Sequence, residues 1–110
     1  VVRVLVPGGH ANVPLARRAS RACWPRLLRA GIALHEYSPT MMHAKLVVID
    51  GHWTTIGSAN LDSRSFWLND EANLNVFSDR LADAECRQFE ADLGRSRRIT
   101  WQDWRDRPVP

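Results

Sequence analysis

Two residues set out the chemistry that this chain could perform. His43 and Lys45 stand two apart in the run His43-Ala44-Lys45-Leu46-Val47-Val48-Ile49-Asp50. Side chains alternate along an extended strand, so both would lie on one face, about 7 Å apart along the backbone. A neutral imidazole and an ammonium at that spacing can straddle one phosphate. The imidazole can attack phosphorus while the ammonium neutralises the non-bridging oxygens. Lys45 is the one lysine of the chain, beside fourteen arginines.

Asp50-Gly51 is the strongest hairpin signal in the chain, with strands expected over residues 43–49 and 53–57 on either side. A two-residue loop at Asp50-Gly51 sets His43 opposite Ser58, and one at Gly51-His52 sets it opposite Asn60. Either register predicts that Ser58 and Asn60 join His43 and Lys45 as one polar cluster, whereas a three-residue loop would reverse the parity. A further strand is expected from Glu71, with Glu71, Asn73 and Asn75 on one face and Ala72, Leu74 and Val76 on the other. Glu71 could hold one N–H of the imidazole and leave the other nitrogen bare. The same polar stripe could equally face solvent. Asp50 would lie on the face opposite His43, where an Asp before Gly ordinarily serves the turn. His10 reads as a loop residue, His35 as structural within an apolar strand, and His52 as an exposed hairpin tip.

The elements around these residues alternate in type. Residues 1–6 read as a buried strand closed by Pro7-Gly8-Gly9. Residues 13–30 read as a helix with the apolar stripe Ala16, Ala19, Cys23, Leu27 and Ala30, interrupted near Trp24 by Pro25 and ended by Gly31. Residues 32–37 form a second strand, and residues 61–70 a polar loop. Ser78 caps a last helix whose stripe is Ala82, Cys86, Phe89 and Leu93, with Gly94 at its end. From Arg95 a basic, Trp-containing tail runs out to Pro110. This order indicates an α/β class with helices flanking a mixed sheet.

With 110 residues and a net charge of +3, the chain has the size of one domain and suits an anionic partner, either a phospholipid headgroup or a nucleic acid. No apolar run reaches the roughly 18 residues of a membrane span, so any membrane anchor is expected outside these residues. The chain begins without Met or a signal peptide, and is expected to be a fragment of a longer protein. Cys23 and Cys86 have no metal-ligand spacing and read as core thiols in a reducing compartment.

The His-x-Lys-x-x-x-x-Asp run from His43 to Asp50 resembles the signature of the phospholipase D superfamily. Gly57-Ser58-Ala59-Asn60-Leu61-Asp62-Ser63-Arg64-Ser65 and Asn69-Asp70-Glu71 look like its companion motifs. Further likeness, from Ala19-Ser20-Arg21 through Glu36-Tyr37 to Ile99-Thr100-Trp101, is to the C-terminal catalytic half of bacterial cardiolipin synthases; Trp24-Pro25 departs from that pattern. The resemblance implies that residues 1–110 form a single phospholipase D-like half-domain. It implies transfer of phosphatidyl groups through a phosphohistidine, with His43, Lys45, Asp50 and Glu71 catalytic, Asp50 in a supporting role. Lys45, Ser58 and Asn60 would bind phosphate, with neither metal nor cofactor. The implied partners are a phosphatidylglycerol-like phospholipid, a second His-Lys-Asp half from the same chain or a homodimer, and the membrane surface. The implied location is peripheral, at the cytoplasmic face of the bacterial inner membrane. The rival expectations are a homodimeric phosphodiesterase or nuclease of the same superfamily, in which nucleic acid is the partner, and a non-catalytic half-domain.

Overall fold

The structure is a computed structural model that describes residues 1–11 and 13–108. Along the described chain run β1 (Arg3–Pro7), α1 (Pro14–Arg21), α2 (Trp24–Arg29), β2 (Ala33–Tyr37), β3 (Leu46–Ile49), β4 (Trp53–Gly57), α3 (Ser63–Trp67), β5 (Asn73–Phe77), α4 (Asp79–Leu93), β6 (Ser96–Ile99) and α5 (Trp101–Arg105). They gather into two compact units, residues 1–42 with 92–110, and residues 43–91. The α/β class is as expected. The strands form two three-stranded sheets, a mixed one ordered β1-β2-β6 and an antiparallel one ordered β3-β4-β5.

In the first unit β1 pairs in parallel with β2, the pairing that an intervening helical crossover permits. The crossover is two helices. α1 stops at Arg21, and α2 restarts at Trp24 with Pro25 in its first turn, where a missing N–H costs little. This break resets the helical phase, so of the stripe expected along residues 16–30, Leu27 alone meets the core, while Ala16, Ala19, Cys23 and Ala30 are exposed. α1 contains no buried residue, and Cys23 is exposed rather than a core thiol. Trp24 takes the buried place instead. It packs with Leu34 and Ile99, and half-buried Val4, Val6, Leu27, Leu28 and Trp104 surround the three. Gly31, at φ +80°, closes α2. The Gly31 N–H donates to the Leu28 carbonyl and the Ile32 N–H to that of Leu27, each at 3.1 Å, the paired bonds of a Schellman ending.

The expected tail is structured through Pro108, while Val109 and Pro110 lie outside the described residues. β6 pairs antiparallel with β2, and sets the buried Ile99 opposite the buried Leu34. Thr100 and Asp103 then form a reciprocal capping box that starts α5, which brings Trp104 to 6.0 Å from the Trp24 ring. His35, in the middle strand, has a buried Nδ1 without a hydrogen-bond partner. Burial first, and then the positive charges of Arg98 and Arg3, lower its pKa.

In the second unit β3 and β4 pair with Ile49 opposite Trp53, which leaves a three-residue connection, Asp50-Gly51-His52. Asp50 (φ +54°) and Gly51 (φ +63°) both adopt the left-handed conformation, and the His52 N–H closes the turn on the Ile49 carbonyl at 3.1 Å. Both two-residue registers are therefore overturned, and the reason lies outside the hairpin. The His52 carbonyl accepts from the Ser78 N–H at 2.9 Å, and its ring bonds Asp79 and lies 5.9 Å from the Phe77 ring. The junction of β5 and α4 thus takes His52 out of the ladder. Ser78 caps α4 through the Leu81 N–H as expected, and Ala82 on its predicted stripe is fully buried.

Candidate active site

β3 begins at Leu46 and β4 ends at Gly57, so His43, Lys45, Ser58 and Asn60 all lie just beyond the regular ladder. Strand parity no longer governs their side chains, and with a three-residue turn it would not have placed Ser58 beside His43. The expected four-residue cluster is therefore replaced by two groups.

His43 and Lys45 make the first. The Lys45 ammonium donates to the His43 carbonyl at 2.9 Å and lies 3.3 and 3.4 Å from the Nδ1 and Nε2 of the His43 ring. The long lysine side chain reaches back over two residues, so a pair whose backbones a strand would hold about 7 Å apart becomes a contact pair. At nearly equal distances from both ring nitrogens, the ammonium lies beside the imidazole without selecting either nitrogen. The His43 ring itself is exposed, as an attacking group must be.

Glu71 is the centre of the second group. One of its carboxylate oxygens accepts the Ser58 hydroxyl at 2.5 Å. The other accepts the Ser65 hydroxyl at 2.9 Å and lies 3.5 Å from the Asn69 amide. These bonds, that from Ser58 foremost and then that from Ser65, hold the Glu71 pKa below the usual glutamate value. Glu71 was expected to orient the His43 ring. Its oxygens are instead taken by two hydroxyls and an amide, and no hydrogen bond joins it to His43 among the described residues.

Ser58 is the joint between β4 and Glu71. Its N–H donates to the Ala72 carbonyl at 3.0 Å, and its Oγ accepts the Ala72 N–H at 2.9 Å, so the side chain extends the β4–β5 ladder by one step. The close approach requires Gly57, since a Cβ there would collide with the Ala72 carbonyl and with Asn73. The single hydroxyl proton of Ser58 points at Glu71 and is not offered outward. Asn60 contributes its backbone N–H to the Ser65 Oγ at 3.0 Å, and its exposed side-chain amide carries no hydrogen bond among the described residues. Asp50 sits in the turn, exposed and apart from both groups, which is the local role expected of an Asp before Gly.

Ser65 was not singled out, although only 6% of it is exposed and it links Asn60 to Glu71. Its segment reads as a polar loop, yet it contains the five-residue helix α3, whose N-cap Asp62 accepts the Ser65 N–H at 2.8 Å. The visible signal was Asp62 followed three residues later by a residue able to use the cap. Asn73 was expected as part of the polar stripe with Glu71, but without a role of its own. Its side chain accepts the Ala59 N–H at 3.2 Å and donates to Thr55 at 3.4 Å, so part of the polar stripe on β5 serves to hold the loop after β4.

A family profile described as the cardiolipin synthase, PLD-like domain matches residues 1–93, a stretch that contains both groups. The chain belongs to this family. Among its cardiolipin synthase relatives, that of Geobacillus sp. (strain WCH70) is 34% identical over 108 residues, which are 98% of this chain and 21% of the relative. Cardiolipin synthase A of Erwinia tasmaniensis is 35% identical over 106 residues, covering 96% of this chain and 22% of the relative. The chain therefore spans about a fifth of the length of these relatives. A solved phospholipase D family member, Nuc from Salmonella typhimurium, superposes with a TM-score of 0.78 at 20% identity, over 90% of this chain and 64% of that one. The shared fold of this PLD-like family thus extends beyond close sequence relatives. Among the described residues, no helix is long and apolar enough to cross a membrane.

Proposed function

We propose that this chain is one catalytic half of a phosphatidyl transferase that converts two phosphatidylglycerol molecules into cardiolipin and glycerol. The supporting observation is the exposed His43 ring in contact with the one lysine of the chain, within a member of the cardiolipin synthase family. The ring nitrogen attacks phosphorus and the bond to the leaving glycerol oxygen breaks. A second histidine, on the facing half, supplies the proton that this oxygen takes up. The hydroxyl of a second phosphatidylglycerol then attacks the phosphorus, passing its proton to that second histidine as the phosphorus–nitrogen bond breaks. His43 fills one of these two parts.

Lys45 neutralises the non-bridging oxygens in either part, and the free amide of Asn60 is the second donor that an incoming phosphate would meet. Ser58 and Glu71 act one layer back, by fixing the loop that carries Asn60. The facing half comes from the same polypeptide or from a second copy, and the assembly works as a peripheral protein at the cytoplasmic face of the inner membrane. The test is to supply the purified full protein with phosphatidylglycerol vesicles. Cardiolipin and glycerol appearing in equal amounts is the expected result. Inert lipid together with cleavage of added DNA would replace this reading with that of a phosphodiesterase.

A further inference from the structure

Charge is divided unevenly between the two units. Residues 1–42 with 92–110 hold eleven arginines and four acidic residues, a net +7, whereas residues 43–91 hold four basic and eight acidic residues, a net −4. No acidic residue precedes Glu36. All four carboxylates of the first unit are engaged. Arg17 donates to Glu36 through two nitrogens, Asp92 pairs with Arg95, and Arg105 donates to both oxygens of Asp106. Asp103 caps α5 by accepting from the N–H and hydroxyl of Thr100, at 2.8 and 2.7 Å. The arginine surplus meets at one cavity of this unit. Arg21, Arg97, Arg107 and Trp104 line a space of about 350 Å³, together with Asp103 and Asp106. None of these three arginines lies within ion-pair distance of a carboxylate among the described residues. Arg21 is stacked over the Trp24 ring at 5.1 Å and Arg107 over the Trp104 ring at 3.6 Å, while the Arg97 guanidinium makes no hydrogen bond among the described residues.

We infer that this cavity is a second, non-catalytic site that takes the phosphate headgroup of an anionic phospholipid and so docks the first unit on a bilayer surface. Its volume falls in the range of small-ligand sites, roughly 300–1,000 Å³. A guanidinium fork matches phosphate oxygens two at a time, and stacking on tryptophan holds Arg21 and Arg107 in position for it. With Arg105 on Asp106, four arginines stand against two carboxylates there, which leaves a positive site. The basic character continues outside the cavity. Arg29 is stacked at 4.7 Å on Trp101, which is 40% exposed, and a basic surface with an exposed tryptophan suits the headgroup layer of an anionic membrane. A single-stranded nucleic acid groove instead offers aromatic faces to bases, whereas Trp24, Trp101 and Trp104 each carry a stacked arginine. The inference rests on the lipid reading of the protein, but its test requires no turnover.

The full protein is mixed with vesicles of phosphatidylglycerol and phosphatidylcholine, and the bound fraction is read by co-sedimentation. Arg97→Gln removes a guanidinium without a bond, so the unfolding midpoint should hold while the partition coefficient falls about fivefold. Adding Arg107→Gln should bring the loss to at least about tenfold, and Arg97→Gln alone decides if the pair is unstable. The charge-matched pair Arg80→Gln/Arg87→Gln, exposed on α4, should leave binding unchanged. Unchanged partition of the cavity variants overturns the inference. Equal losses for the two pairs do so as well, since net charge alone would then act. Glycerol 3-phosphate that displaces the protein from vesicles at micromolar concentration would give the site to a soluble phosphoester instead. A dT oligonucleotide whose binding is lost in the cavity pair, with vesicle binding kept, would give it to nucleic acid. A protein that partitions as expected and makes no cardiolipin supports the site, and counts against the catalytic reading alone.

Discussion

His43→Ala is expected to abolish formation of cardiolipin in the full protein. Loss of a proton-transferring imidazole alone lowers a rate by roughly 10²–10⁴-fold, and loss of a nucleophile by more. The substitution should leave the fold undisturbed. The ring is exposed, its hydrogen-bonding contact is with Lys45, and the Lys45 ammonium keeps its bond to the residue 43 carbonyl, which any residue supplies. The check is initial rate against an unchanged unfolding midpoint. Residual activity within about tenfold of the unaltered enzyme would remove His43 from the chemistry, since that is smaller than a lost general acid or base.

Glu71→Ala is expected to lower turnover by about 10²-fold, although the carboxylate has no bond to His43, because misplacement of a binding group by about 1 Å is enough to do so. The substitution strips the acceptor from Ser58 and Ser65 together, and Ser65 in turn carries the Asn60 backbone. The same group predicts a pH dependence. The Glu71 pKa is lowered on folding, chiefly by the Ser58 hydroxyl and then by that of Ser65. Its contribution is therefore complete above the ordinary carboxylate range, and is lost as pH falls through the lowered folded value. Amide exchange at Asn60 and Ser65 should speed up on acidification through that window. Glu71→Gln should lack this acid-dependent part. Equal acid sensitivity in the two proteins would assign the effect to another carboxylate.

The contact pair of His43 and Lys45 was legible because the two are close in sequence, and so was the position of the Asp50-Gly51 turn. The register of that hairpin was not, because His52 is held out of the ladder by Ser78 and Asp79, more than twenty residues on, and no local pattern announces that contact. The polar stripe from Glu71 was visible, but its hydroxyl partner Ser65 was hidden in a segment too short to show helical periodicity. Pro25 signalled the break before Trp24. The turn of helical phase across it, which leaves Cys23 outside and buries Trp24, depends on how the second helix meets the sheet. The tail hid a strand because Ile99 is the one buried residue in a run otherwise of Ser and Arg, and its partner Leu34 is remote in sequence.

Covalent phosphatidyl transfer shared between two His-Lys halves is checked by weighing the working enzyme. Quenched in base during turnover, where a phosphorus–nitrogen bond survives, the full protein should carry one phosphatidyl group for each pair of His-x-Lys-x-x-x-x-Asp motifs. That group should lie on a histidine of one motif and be lost on acid treatment. Cardiolipin formed at full rate with no adduct at any quench time would contradict the account, as would one adduct on every motif.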